Sequence, residues 1–230
     1  MKSAQYHYVL NSYEECTLFY EHFTTEVRNF NSGEARLTPP TTDEPELIAR
    51  AQQGDMQAFE ALYHRHKMAL YRTALAISGD RFLAEEILQE VFLRAYRHLP
   101  QMRTDVSPAP WLYRVMVNLT YDITARRRRK QTMLQKLADW LPTPIKSPEK
   151  QVETQELQTM VLKAINRLEI KQRTTLVLFY LQDLSLEEIA EIMNVPVGTV
   201  KSRLYYARKK LRNTILADEQ LLRVLAYEHS

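Results

Sequence analysis

Apolar positions recur three and four residues apart along most of this chain, the spacing that lines one face of a helix. Across 43–130 four such stripes follow one another. Leu47, Ile48 and Ala51 mark a short helix that stops near Gly54. Phe59, Leu62, Tyr63, His66, Leu70 and Ala74 mark a second, and Asp55 stands where a side chain can cap its first turn. Ser78, Gly79 and Asp80 make a turn, and Asp80 can cap a third helix striped by Ala84, Ile87, Leu88, Val91, Phe92 and Ala95. A loop from about Leu99 to Ser107 precedes a fourth helix. Ser107–Pro108 opens it, and Leu112, Val115, Met116, Leu119 and Ile123 point inward.

A second helical block spans 153–212. Leu157, Val161, Ala164, Ile165 and Leu168 stripe its first helix. The run RTTLVLFYL at 173–181 is apolar nearly all round, which suits a central helix or a strand. Its place between two helical patterns favours the helix. Ser185 followed by Glu188 is a capping box, a pair that satisfies two orphan N–H groups at a helix start. Leu186, Ile189, Ala190 and Met193 follow as one stripe. Asn194–Val195 suits a tight turn, and Pro196 can open the next helix, striped by Val200, Leu204, Ala207 and Leu211. The pattern therefore predicts an all-α chain. Two small helical domains, 43–130 and 153–212, are joined by a linker at 131–152 that holds Trp140, Pro142, Pro144 and Pro148. The C-terminal domain is a helix-turn-helix, and 213–230 is a tail.

The first 42 residues stand apart. Ser12 and Glu15 form another capping box, Cys16, Phe19, Tyr20, Phe23, Val27 and Phe30 keep helical spacing, and Gly33, Pro39 and Pro40 break it. A lone helix of this length is marginal in water. Either this extension is disordered or a misassigned start, or it folds back on 43–130 and covers part of the face that carries Phe82 and Leu93.

Bulk composition narrows the function classes. Only 4 glycines and 10 prolines among 230 residues suit a helical chain. Net charge is only +3, so the cations matter through clustering, at 126–130 and 201–212. One cysteine excludes a disulfide framework and argues against a thiol zinc site. The absence of a membrane-length apolar run and of a secretory signal predicts a cytoplasmic protein without membrane insertion. His64 and His66 diverge on a helix with no carboxylate or thiol cluster beside them, so no metal is expected. A phosphate loop, a nucleophile elbow and an HExxH motif are all missing, which predicts a non-enzyme without cofactor.

The last helix carries the chemistry. Opposite its apolar stripe lie Gly198, Ser202, Tyr205, Tyr206 and Lys209, with Thr199 in the first turn. Lys201, Arg203, Arg208, Lys210 and Arg212 flank them, and no acid occurs from 197 to 212. Short polar and aromatic groups can meet base edges while cations meet phosphates, the division of labour of a recognition helix. The segment PVGTVKSRLYYARKKLR resembles the promoter-reading region of bacterial sigma factors of the extracytoplasmic-function type.

The first domain extends that resemblance. The third helix has an unusual outer face, with Phe82 and Leu93 among Glu86, Gln89, Glu90 and Arg97, a docking pattern with a polar rim. AEEILQEVFLRAYR, at 84–97, is similar to the family helix that grips core RNA polymerase, with Glu86 where the family usually has Asp. By that resemblance Glu86, Gln89 and Glu90 are polymerase contacts. WLYRVMVNLTYDITARRRRK, at 111–130, resembles the promoter-melting helix. Arg114, Asn118, Tyr121 and Asp122 fall on its outer side, and Asn118 matches the family asparagine after the Trp–Leu pair. An amide beside an aromatic can hold an unpaired base, and Arg126, Arg127, Arg128 and Arg129 can hold the melted strand's backbone. The SPAP stretch at 107–110 departs from the family's aromatic and polar loop, which leaves the −10 preference open.

The resemblance covers roughly 43–212. It implies a non-catalytic subunit that reads the −35 element as duplex, melts the −10 element, and partners core RNA polymerase, promoter DNA and an anti-sigma factor. Two alternatives stand beside it: a free-standing helix-turn-helix regulator that binds an operator without polymerase, and a non-DNA adaptor or enzyme.

Overall fold

The computed structural model describes residues 43–138 and 164–217, and among these every regular element is a helix. The expectations for 1–42, for the proline-containing stretch with Trp140, for the Leu157 and Val161 positions and for 218–230 lie outside the described residues. In chain order the helices are α1 (Glu44–Gln52), α2 (Met56–Ser78), α3 (Arg81–His98), α4 (Ala109–Ala138), α5 (Ile170–Leu181), α6 (Leu186–Met193) and α7 (Val197–Leu216). A 3-10 turn, Leu99–Gln101, leads out of α3.

Local chemistry sets the boundaries. The Asp55 carboxylate accepts from the Gln57 and Ala58 N–H groups at 2.9 and 3.2 Å and starts α2. Gly79 ends it in the left-handed region, at φ 71°. Asp80 Oδ1 accepts from the Leu83 N–H at 3.0 Å and starts α3. Gln52 ties α1 to the turn after α3 by donating to the Leu99 and Met102 carbonyls. Buried Glu44 meets His66 Nε2 at 2.9 Å. Burial alone would raise that carboxyl, but the His66 hydrogen bond and charge, with Ser107 and Arg65, bring it below its usual range. His66 is thus engaged inside the fold, while His64 lies exposed on α2 near Glu60.

α4 runs past Lys130 to Ala138, into the stretch that composition marks as linker. Residues 131–138 contain neither glycine nor proline, so nothing in them stops the helix before the prolines begin at Pro142.

Glu169 caps α5 by accepting from the Lys171 and Gln172 N–H groups. α5 buries Thr174 through Leu178, Tyr180 and Leu181, and the ambiguous apolar run is a helix. The turn into α6 holds Asp183 at φ 51°. The capping box is formed, with the Ser185 N–H on Glu188 at 2.8 Å and the Glu188 N–H on Ser185 Oγ at 3.1 Å. Asn194 closes α6 in the left-handed region, which an asparagine tolerates better than most residues. Val200, Leu204, Ala207 and Leu211 are all buried under α7.

The two units share a core. Leu70, Ala74, Ile77, Ile87, Val91 and Met116 of the first unit belong to the same apolar cluster as Val177, Leu178, Ile189 and Val200 of the second. α2 packs on α5, and α4 packs on α6. The Tyr113 hydroxyl donates to Gln182 Oε1 at 2.6 Å across this junction, with both residues buried. The Arg173 guanidinium, in turn, donates to the Ile77 carbonyl at 2.8 Å. α4 therefore buries more than its expected stripe: Tyr113, Val117 and Thr120 join Leu112, Met116 and Leu119.

Candidate nucleic-acid and docking interfaces

α7 presents its expected outer face. Tyr205 and Tyr206 are each 56% exposed, with ring centroids 5.3 Å apart in an edge-to-face pair. Lys201, Ser202 and Lys209 are exposed beside them. The Ser202 hydroxyl donates to the Thr199 carbonyl at 2.9 Å, so its lone pairs remain for an incoming donor. A Cβ added at Gly198 would meet nothing within 4 Å, so no packing in this protein requires a glycine there. What its small size leaves is an open approach to the backbone at the start of the helix.

The flanking cations divide. Arg208 turns inward, donating to the Tyr180 hydroxyl at 2.8 Å and covering the Phe179 and Tyr180 rings. Arg203 is half-buried, with Tyr121 of α4 in its electrostatic range. Neither position was distinguishable by helical phase, which sees only the helix itself.

The outer side of α4 also divides. Asn118 and Asp122 are exposed, as are Arg126, Arg127, Arg128 and Arg129. Arg114 and Tyr121 are only partly exposed, because residues of the second unit pack against them. Arg114 donates to the Glu191 carbonyl at 2.9 Å and sits 3.3 Å from its carboxylate. The Tyr121 hydroxyl is buried beside Thr174 of the second unit. Burial pushes its pKa up to about 12. Trp111 anchors the start of the helix by stacking on His98, with ring centroids 4.7 Å apart.

On α3, Phe82 is 82% exposed and Leu93 53% exposed, and Glu86 and Gln89 lie open between them. Glu90 is occupied by Arg94 at 2.8 Å. The arginine run reaches this face: Arg127 bridges Asp80 at 2.7 Å and Glu86 at 3.4 Å. Asp80 thus caps α3 with one oxygen and holds Arg127 with the other.

Among the described residues no three His, Cys, Asp or Glu side chains gather as a metal site, and no helix is long and apolar enough to cross a membrane.

The comparisons with known proteins match this arrangement segment by segment. Residues 62–132 match the family model "Sigma-70 region 2", and residues 158–211 match "Sigma-70, region 4". The ECF RNA polymerase sigma factor SigW of Bacillus subtilis is 33% identical over 176 residues, 73% of this chain and 94% of that protein. The ECF RNA polymerase sigma-E factor of Escherichia coli is 34% identical over 179 residues, 74% and 92% of the two chains. Two solved structures share the fold at 23% identity. They are CnrH in complex with the cytosolic domain of CnrY (TM-score 0.56, 76% of this chain and 98% of that one) and RpoE of Bartonella quintana in complex with the anti-sigma factor NepR (TM-score 0.54, 70% and 98%). With two sigma modules in order and relatives matched over nearly their whole length, this chain belongs to the ECF family of RNA polymerase sigma factors.

Proposed function

We propose that this chain docks on core RNA polymerase through the outer face of α3, reads the −35 element with α7 and melts the −10 element with α4. One observation carries the reading: the two family modules each present a face whose chemistry suits its task, apolar with an acidic rim on α3 and aromatic with cations on α7. Phe82, Glu86, Gln89, Glu90 and Leu93 form the polymerase surface. Gly198, Thr199, Lys201, Ser202, Arg203, Tyr205, Tyr206 and Lys209 form the −35 surface. Arg114, Asn118, Tyr121, Arg126, Arg127, Arg128 and Arg129 form the −10 surface. The protein supplies promoter choice and leaves the chemistry to the polymerase, and it works in the cytoplasm with it. The neighbouring RpoE structure, held by an anti-sigma factor, supports a partner of that class here.

Reconstituted transcription tests the whole reading. Core polymerase with this protein should initiate on a promoter library that core polymerase alone ignores. Operator binding without any polymerase-dependent initiation would instead favour a free-standing regulator.

Two finer results are expected. Ser202→Ala or Tyr206→Ala should change the ranking of −35 sequences, because losing one base contact costs about 1–3 kcal/mol at that base pair alone. Lys209→Ala should weaken every sequence alike and flatten the salt dependence, as a phosphate contact does. Binding measurements on a panel of −35 duplexes separate these outcomes, and equal losses on every duplex for Ser202 and Tyr206 would end the assignment of base reading to them.

Asn118 is exposed, so its truncation should cost the fold little. Asn118→Ala should leave −35 duplex binding intact and impair opening at −10. Permanganate footprinting reports the unpaired thymines directly, and normal opening by the variant contradicts the role.

A further inference from the structure

We infer that α1 is a positioning element for promoter reading: Gln52 and Glu44 hold the two ends of the loop tip at 103–106, and that tip sets base choice at −10. The inference rests on the assignment of α4 to the −10 element, since this loop leads straight into α4. Gln52, the last residue of α1, donates from Nε2 to the Leu99 carbonyl at 2.9 Å and to the Met102 carbonyl at 2.8 Å. A primary amide has two N–H donors, and both are used here. The carbonyls belong to the 3-10 turn after α3 and its cap, where a helix end leaves such groups without a partner of its own.

Glu44, the first residue of α1, holds the other end of the tip. Its buried carboxylate accepts from the Ser107 hydroxyl and meets His66 Nε2 at 2.9 Å. Ser107 Oγ in turn accepts from the Ala109 N–H at 3.3 Å, in the first turn of α4. Between these anchors α1 is a strut of nine residues, about 13 Å long. Ile48 and Ala51 seat it in an apolar cluster with Ala58, Leu62 and Leu99.

The tip carries the chemistry. Arg103 and Asp105 are exposed and paired with each other, and Val106 is 44% exposed. Pro108 and Ala109, in the stretch where the family has aromatic and polar groups, are buried and offer DNA no polar side chain. What this chain presents ahead of α4 is a guanidinium–carboxylate pair and one apolar group. An unpaired base is read by hydrogen bonds along its edges and by packing on its face, and this set supplies both. Two exposed ions hold each other only weakly, so the Arg103–Asp105 pair cannot fix the tip by itself. The fixed points are Met102 and Ser107, and α1 supplies the hold on each.

The test uses the full chain with core RNA polymerase and promoters that differ singly across the −10 element, scored by the rate of open-complex formation. Gln52→Glu is isosteric at an exposed position, but it turns a carboxylate on the two carbonyls. Discrimination should fall by about fivefold or more at one −10 position, as when a base contact is lost. The ranking of −35 sequences and the affinity for core polymerase should stay as in wild type. Ser107→Ala, which frees the other end of the tip, should lose discrimination at the same position. Gln52→Lys keeps a donor and should keep the wild-type preference. An equal loss on every −10 sequence would make Gln52 a fold contact only and overturn the inference. So would an unchanged preference in Gln52→Glu when Asp105→Ala shifts it. If Asp105→Ala, Asn118→Ala and Gln52→Glu all leave −10 preference and opening unchanged, the −10 assignment itself fails, and the inference with it.

Discussion

Glu86→Arg combined with Gln89→Ala is expected to abolish co-purification of this protein with core RNA polymerase, while helical content and thermal midpoint stay near wild type. Both side chains are exposed on α3, between Phe82 and Leu93. Among the described residues, the intramolecular contact at stake is the Glu86 pairing with Arg127 at 3.4 Å, between two largely exposed side chains. Such a pair is worth about 0–1 kcal/mol, so folding loses little. Docking loses more, because a like charge set into a complementary interface costs several kcal/mol. Arg127 also keeps its closer partner, Asp80 at 2.7 Å. Pull-down from reconstituted mixtures, with circular dichroism as the folding control, gives the answer. Polymerase retained by the double variant would remove α3 from the docking surface.

Ile87→Ala should have the largest effect on stability. Ile87 is 0% exposed and lies one helical turn from Leu83, Ala84 and Val91 in the shared core. Truncation removes three buried carbons and leaves a cavity, at a cost of about 2–5 kcal/mol. Phe82→Ala, on the same helix but at 82% exposure, should move stability by less than about 0.5 kcal/mol despite deleting a larger side chain. Urea unfolding of the pair makes the comparison within one helix. Equal losses would mean that Phe82 packs against a segment of this chain, and the docking assignment would fail with it.

The elements were legible in the sequence because their signals are local. Asp55, Asp80, Ser185 and Glu188 sit one turn or less from the N–H groups they satisfy, and those caps form as read. Periodicity named Val200, Leu204, Ala207 and Leu211, the buried residues of α7 among those described. It missed Ile192 on α6 and Tyr113, Val117 and Thr120 on α4, all buried. A single helix cannot announce how many neighbours will cover it, and the partners of α4 come from residues some seventy positions away in sequence. The same limit explains Arg114 and Tyr121. Helical phase puts them opposite the inward stripe, and only the placement of α6 and α7 shows what lies over them. The family resemblance assigned roles to the faces of α3 and α7, but it carried no information about the seam.

Gly79 shows what the junction between the two units asks of the chain. The residue sits at φ 71°, and a Cβ there would come within 2.8 Å of Asn166 Oδ1. That oxygen accepts in turn from Arg173, which also holds the carbonyl of Ile77, two residues earlier at the end of α2. Gly79 and Ile77 on one side, and Asn166 and Arg173 on the other, thus form a matched set between the units. A chimera that joined this polymerase-binding half to the promoter-reading half of another sigma factor would exchange one side of the set and keep the other. At this point of the junction the two halves are a fitted pair.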